Sequence, residues 1–251
     1  MATKKIGLQV YSIRDIYAKS PAEAFGLVKD CGYDAVDMFG GVTMGAEELK
    51  QLLDDFGLEC CGWHASWDYL SKPDILEMYA AYNKTIGNKY LICPGLPGEL
   101  TKDKDGWLAA AKKLNEIAAQ LKKHGMYTGM HSHAGEFKPT PGSDELPWDI
   151  IAKNTVDDVV LQLDLGNTYA AGTEPIAVLE RYPGRAGTVH LKPYSLTKGM
   201  GVPIGEDDID WARVEKFCNG PGNTEYFIVE YEEEDAKTGI KACIDNFKKF
   251  L

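Results

Sequence analysis

Gly125-Met126-Tyr127-Thr128-Gly129-Met130-His131-Ser132-His133-Ala134-Gly135-Glu136-Phe137 is the stretch on which the fold turns. Before it, Asp105 opens a long helix with Leu108, Ala111, Leu114, Ile117, Ala118 and Leu121 on one face. Gly125 stops that helix, as glycine does at a C-terminal cap. Met126 to His131 then reads as a strand. Its end carries two histidines and a glutamate, His131, His133 and Glu136, aimed at one small space. Helix, glycine stop, strand and polar tip form one unit of a βα grammar.

The same unit recurs in both directions. Toward the N-terminus, Ile6–Tyr11 is a strand, and Ser20-Pro21-Ala22-Glu23 is a capping box with proline at the first helical position. The helix ends at Cys31-Gly32, and Tyr33–Met38 is strand two. Ala46–Phe56 with Gly57, then Leu58–His64, give helix and strand three. Pro73–Ile86 with Gly87, then Lys89–Cys93, give helix and strand four. Toward the C-terminus, Val159–Asp164, Thr188–Leu191 and Tyr226–Glu230 are strands six to eight. Helices are expected over Glu174–Tyr182, Asp208–Cys218 and from Asp235, where Ile240, Cys243, Ile244, Phe247 and Leu251 form one stripe. The irregular segment 138–148 is read as a loop covering the strand-five tip. Strands alternating with helices imply a parallel sheet. Eight units in 251 residues favour one closed (β/α)8 barrel domain over an open sheet, since such a barrel needs ~250 residues. No Gly-x-Gly-x-x-Gly follows strand one, so a dinucleotide fold gains no support.

A net charge of −11 disfavours a phosphate backbone as partner. The six cysteines contain no Cys-x-x-Cys pair and are expected to be reduced, buried small hydrophobes. Met1 to Lys5 lacks a signal-peptide core, and no apolar run is long enough for a bilayer, so no membrane contact and a cytoplasmic location are expected.

Active sites of such barrels form at the C-terminal ends of the strands. Those ends carry Asp37, His64, His131, His133 with Glu136, Asp164, His190 with Lys192, and Glu230. Singly, an aspartate such as Asp164 is a helix cap, His190 a core histidine, and Glu230 to Glu234 a solvated acidic run. Asp37 and His64 read as rim groups. Together, Glu136, Asp164, His190 and Glu230 end four consecutive strands, whose tips adjoin. Three carboxylates there repel one another unless a cation sits among them. A mixed O/N set suits Mn²⁺, Mg²⁺, Co²⁺ or Zn²⁺.

The chain resembles the xylose isomerase-like barrel superfamily, and within it the sugar phosphate isomerase/epimerase group. The resemblance rests on Leu8-Gln9-Val10-Tyr11-Ser12-Ile13-Arg14-Asp15, Gly32–Asp37, His131–Phe137, Leu163-Asp164-Leu165-Gly166-Asn167, Val189-His190-Leu191-Lys192 and Val229-Glu230. It implies a divalent cation on a Glu, Asp, His, Glu set. Asp164, His190 and Glu230 transfer directly. At strand five, His131 stands in the register where many relatives carry the glutamate. Either Glu136 reaches back to the metal, or His131 or His133 substitutes; Glu136 is the choice taken here. Asp37 stands where relatives often carry glutamate, and Gly205-Glu206-Asp207-Asp208 departs from a common Gly-Glu-Gly pattern.

The resemblance further implies proton transfer beside the carbonyl of a sugar or sugar phosphate, through an enediolate, with Glu136 and Glu230 as bases and His133 as an alternative. Lys192 is expected at the oxyanion or a substrate anion. His64, His131, Trp63, Tyr11 and Arg14 are candidates for substrate binding, with Trp63, Trp67 and Tyr11 as stacking surfaces. The rival enzyme reading is a lyase that expels a β-substituent from a keto-inositol or 3-keto-glycoside. An abasic-site endonuclease is opposed by the charge and by only five histidines. A non-catalytic sugar-binding barrel is the remaining alternative. The partner is a small sugar or polyol; barrels of the resembled group often pair as homo-oligomers, and the residues do not set the oligomer.

Overall fold

The computed structural model describes residues 4–251. Eight parallel strands line the barrel: β1 (Lys5–Gln9), β2 (Ala35–Phe39), β3 (Glu59–His64), β4 (Tyr90–Cys93), β5 (Tyr127–His131), β6 (Val159–Gln162), β7 (Thr188–Leu191) and β8 (Tyr226–Val229). They are hydrogen-bonded in the order β6-β5-β4-β3-β2-β1-β8-β7. The remaining seam, β6 to β7, is closed by Leu161 N–H donating to Arg185 O at 2.8 Å and His190 N–H donating to Leu163 O at 2.9 Å. A parallel bridge pairs Asp164 with His190 at the same seam. Two site residues therefore stand on the bond that closes the ring.

Outside the strands lie α1 (Pro21–Cys31), α2 (Ala46–Phe56), α3 (Pro73–Thr85), α4 (Lys104–Leu121), α5 (Pro147–Asn154), α6 (Pro175–Arg181), α7 (Trp211–Asn219) and α8 (Ala236–Phe247). The local signals act as expected. Ser20 Oγ caps α1 by accepting from Glu23 N–H, with Pro21 at its first position, and Gly32 ends it at φ +92°. The helix α5 lies inside and beyond the segment read as a loop. Pro147 starts it, and Trp148, Ile150 and Ile151 bury its apolar side. Short helices also fill the βα connections, at Arg14–Lys19, Trp67–Leu70, Gly98–Thr101 and Leu165–Ala170.

The main apolar core lies between strands and helices, with Leu8, Val36, Met130 and Val189 meeting Phe25, Leu114 and Phe247. Inside the barrel, its N-terminal half is plugged by two small groups, Ala35–Cys61–Ile228 and Tyr90–Ile92–Val160. Cys60 joins the outer core and Cys61 the inner plug, as strand alternation demands. All six cysteines are free and buried. Above the plug the interior turns polar, and there the strand ends supply their charged side chains. Among the described residues no helix is long and apolar enough to cross a membrane.

Candidate active site

The polar interior has two layers. The lower one begins with Gln9, the last residue of β1. Its Oε1 accepts from Tyr11 N–H at 3.1 Å, so its amide nitrogen is free to donate to Asp37 Oδ2, at 3.0 Å. Asp37 points inward on β2, two residues after Ala35 of the inner plug, and beside it the β2–β3 register slips: Val36 pairs with Cys60 but Asp37 with Gly62. Gly62 makes the space, since a Cβ at that position lies 2.5 Å from Asp37 Oδ1. Across the layer, Gln162 Oε1 lies 2.7 Å from His64 Nε2 and 3.1 Å from His131 Nδ1. The Gln162 amide nitrogen donates to Thr188 Oγ1 at 2.9 Å. His64 stacks on His190, with ring centres 5.1 Å apart and planes 7° from parallel.

The upper layer holds the reactive group. His131, Asp164, His190 and Glu230 each present one ligand atom, and these atoms lie within 4.8 Å of one another; all four residues are buried. His190 Nδ1 meets Glu230 Oε2 at 2.6 Å, and His190 Nε2 meets Asp37 Oδ2 at 3.0 Å. Lys192 Nζ donates to Glu230 Oε1 at 2.8 Å and also to Glu232. Asp164 caps the helix Leu165–Ala170 through Oδ1, which accepts from Asn167 N–H at 2.7 Å. Its own N–H donates to Ser132 Oγ at 2.9 Å. Asp164 Oδ2 is buried and accepts no hydrogen bond among the described residues. Gly166 lets this helix sit against the β7 end, where a Cβ lies 2.8 Å from Lys192 O.

The electrostatics follow from burial and these partners. Burial opposes charge on His190, but its hydrogen bonds to Asp37 and Glu230 outweigh that and push it up to about 9. Burial also works against ionised Glu230, yet His190 and Lys192 hold its carboxyl well below the usual range. Asp164 goes the other way, raised by burial and then by the charge of Glu230. Burial, with His190 and His64 beside it, holds His131 well below the ordinary imidazole range. A neutral imidazole is the form that ligates a metal. A buried carboxylate oxygen with no partner, two imidazoles and a second carboxylate within ligating reach of one another fit a divalent cation.

Four expectations are corrected. Glu136 is not part of the group. Its Oε2 accepts from His133 N–H at 2.8 Å, locking the turn Ala134–Phe137, and His131 stands in the group instead. Trp63 does not face the barrel interior. It points outward, donates its indole N–H to Gly40 O at 2.8 Å and packs edge-on against Tyr79 and Tyr82 of α3. Asp37 and His64 are not rim groups but interior ones, and Glu232 is not a free acidic side chain but a partner of Lys192. His133 stands at the open rim, its ring centre 4.8 Å from that of His131. Partial burial lowers its pKa. Arg14 lies over the Tyr11 ring at 4.5 Å, and Tyr11 packs edge-on against Phe39. Arg14 and Glu232 both line an open cleft of about 480 Å³. Trp67 is half-buried at the start of its short helix. Gln9 and Gln162 were not foreseen as site residues; the available signal was an amide inside each of two otherwise apolar strands.

Comparison with known proteins completes the description. The model of the xylose isomerase-like TIM barrel family matches residues 25–250. The chain belongs to this family. Among curated members, an inosose dehydratase of Clostridium perfringens is 26% identical over 160 residues, covering 57% of this chain and 53% of that protein. The chain thus spans about half the length of that relative. The rhizopine catabolism protein MocC of Rhizobium meliloti is 24% identical over 237 residues, 86% of this chain and 71% of its own. Among solved structures, a sugar phosphate isomerase/epimerase from Parabacteroides distasonis superposes with a TM-score of 0.84 at 20% identity, over 100% of this chain and 96% of that one. The IOLI protein with a bound zinc atom superposes with a TM-score of 0.73 at 16% identity, over 98% and 99% of the two chains. These two share the barrel fold of the xylose isomerase-like family. The Clostridium perfringens relative is described as a dehydratase, an enzyme.

Proposed function

We propose that this barrel is a divalent-metal-dependent enzyme that moves the proton next to the carbonyl of a keto-sugar or keto-polyol, interconverting isomers or epimers. The observation that carries the reading is the buried His131–Asp164–His190–Glu230 group at the barrel mouth, with Asp164 Oδ2 left without a partner. Those four residues hold the cation. Two imidazoles beside two carboxylates suit Zn²⁺, Co²⁺ or Mn²⁺ better than Mg²⁺. When bound, such an ion polarises the substrate carbonyl and acidifies the neighbouring C–H.

The remaining work falls to the chain. Glu230, kept ionised by His190 and Lys192, is a carboxylate base at the end of β8. His133, neutral and open at the rim after β5, is the second proton carrier. The two stand on opposite sides of the β6 and β7 tips, so one removes a proton while the other returns it. Lys192 keeps its proton, because Glu230, Asp164 and Glu232 outweigh its burial. It stabilises negative charge on the substrate oxygen as it forms.

A second reading has its own support. The group contains one glutamate, at the end of β8, and its β5 member is a histidine. Unlike groups as acid and base suit elimination of a β-substituent, and relatives described as inosose dehydratase point the same way. The deciding experiment incubates metal-loaded protein with keto-sugars, inososes and 3-keto-glycosides in deuterated water. Deuterium entering the α-carbon with the carbon skeleton unchanged supports the isomerase. An unsaturated product, seen by its ultraviolet absorbance, selects the lyase. Stoichiometric metal with neither exchange nor elimination across the panel would sink both.

A further inference from the structure

We infer that Asp37, braced by Gln9, is a positioning residue that fixes which nitrogen of His190 faces the cation, and that the three-histidine layer beneath is a proton-bearing support for a single ion. The inference rests on the metal-site reading above and concerns residues outside its four ligands.

His64, His131 and His190 also bring one nitrogen each within 4.8 Å of one another, so they are on first inspection a second metal site. Their hydrogen bonds say otherwise. His64 Nε2, His131 Nδ1 and His190 Nε2 each already face an acceptor: Gln162 Oε1 at 2.7 Å and 3.1 Å, and Asp37 Oδ2 at 3.0 Å. An ion seated there requires His131 and His190 to ligate through both ring nitrogens at once. With N–H on the lower nitrogens, the ring atoms left for an ion are His131 Nε2 and His190 Nδ1, the latter donating to Glu230 Oε2 at 2.6 Å in the metal-free chain and freed for the cation when Glu230 turns to it.

The Asp37 contact has one possible polarity. A carboxylate oxygen accepts, so His190 Nε2 carries the proton. The donor on the far side is fixed as well: Tyr11 N–H can only donate, which assigns Gln9 Oε1 as its acceptor and turns the Gln9 amide nitrogen to Asp37. The backbone is shaped around this carboxylate, through the β2–β3 register slip and the absence of a side chain at Gly62. A ligating histidine whose second nitrogen donates to a carboxylate is held in one tautomer and made a stronger ligand, and loss of the partner costs ~10–100-fold in metal affinity.

The test is a double-mutant cycle read by metal binding rather than turnover. Purified full-length protein, Asp37→Ala, Asp37→Asn, His190→Ala and the Asp37→Ala/His190→Ala double variant are titrated with Co²⁺, following its visible absorption and the stoichiometry. Asp37→Ala is expected to weaken Co²⁺ by ~10–100-fold and Asp37→Asn by less, because its amide oxygen still accepts from His190. In the His190→Ala background Asp37→Ala should cost nothing further. Wild-type protein should bind one ion. An Asp37→Ala variant that binds Co²⁺ as tightly as wild type overturns the inference, as does an equal loss in the His190→Ala background, which marks a merely structural role. Two ions per chain overturn the proton-bearing layer. If the wild type binds none, the metal-site reading itself fails, and that outcome is separate. Should Asp37→Ala not fold, the Asp37→Asn and His190→Ala pair completes the same cycle.

Discussion

His131 and Glu136 are five positions apart on one connection, and the structure gives them different tasks. His131 ends β5 inside the barrel, while Glu136 turns back to bond the His133 N–H. His131→Ala is therefore expected to weaken metal binding by more than the ~10–100-fold that an outer partner costs. Glu136→Ala should keep full metal stoichiometry and lose about 1 kcal/mol of stability, the scale of a lost backbone cap. Metal analysis after dialysis, with urea midpoints for both variants, checks the pair; metal lost in Glu136→Ala and retained in His131→Ala reverses the assignment. The register already placed His131 where relatives carry glutamate. What the residues alone did not reveal is that the peptide after His133 turns sharply enough for Glu136 to be consumed by its own backbone. Asp164, His190 and Glu230 were legible because each ends an apolar strand, and strand order brings those ends together.

At the level of elements, strand and helix positions were readable wherever a glycine stop met an apolar run. Gly32, Gly57 and Gly125 all adopt positive φ at helix ends. The short helices in the loops were not readable, because four to six residues carry too little periodicity to separate from a turn. The α5 helix was missed for another reason: its proline start at Pro147 lies in a run of turn-forming residues that look irregular as a group. Trp63 shows the cost of an unseen bulge: with Cys61 inside, plain alternation puts Trp63 inside too, but the β2–β3 register slip between Cys60 and Gly62 turns it outward and gives His64 the interior place. The connection after β7 carries a pH-dependent element. Burial pushes Asp207 up to about 6, against the hydrogen bonds it accepts from Ile209 N–H and the Trp211 indole. Because its folded pKa exceeds the unfolded one near 4, the folded state holds the extra proton between them. Its stabilising contribution is present below the unfolded value and lost as pH rises through 6. Asp207→Asn keeps an acceptor oxygen and removes the buried charge. The variant should match wild type near pH 4 and exceed it at pH 8 by on the order of 1–3 kcal/mol. Equal urea midpoints at pH 8 would refute this.

At the scale of the whole molecule, the barrel interior carries an apolar plug in one half and charged side chains in the other. The inner plug of Ala35, Cys61, Ile228, Tyr90, Ile92 and Val160 closes the N-terminal half. Above it the interior is polar, with His190 bonded to both Asp37 and Glu230. Asp37, Asp164 and Glu230 gather there, with Lys192 as the buried cation among their partners. Without a further cation the group is held by a doubly bonded His190 and an Asp164 with a raised pKa, both of which oppose its ligand form. On the proposed metal reading, binding and folding are linked, because an ion that binds only the folded chain stabilises it by mass action. At an ion concentration of 100 times Kd the gain is about 2.7 kcal/mol. For a chain of this size that corresponds to a rise in Tm of roughly 5–10 °C. Thermal unfolding should show this rise on adding Zn²⁺, Co²⁺ or Mn²⁺ to chelator-treated protein, with a smaller response to Mg²⁺. His131→Ala and Asp164→Asn should lose most of it, while Lys192→Met, which removes no ligand, should retain it. A rise of the same size in all three variants would place the ion elsewhere on this acidic chain, and the seam where Asp164 meets His190 would then be a closure of the barrel and nothing more.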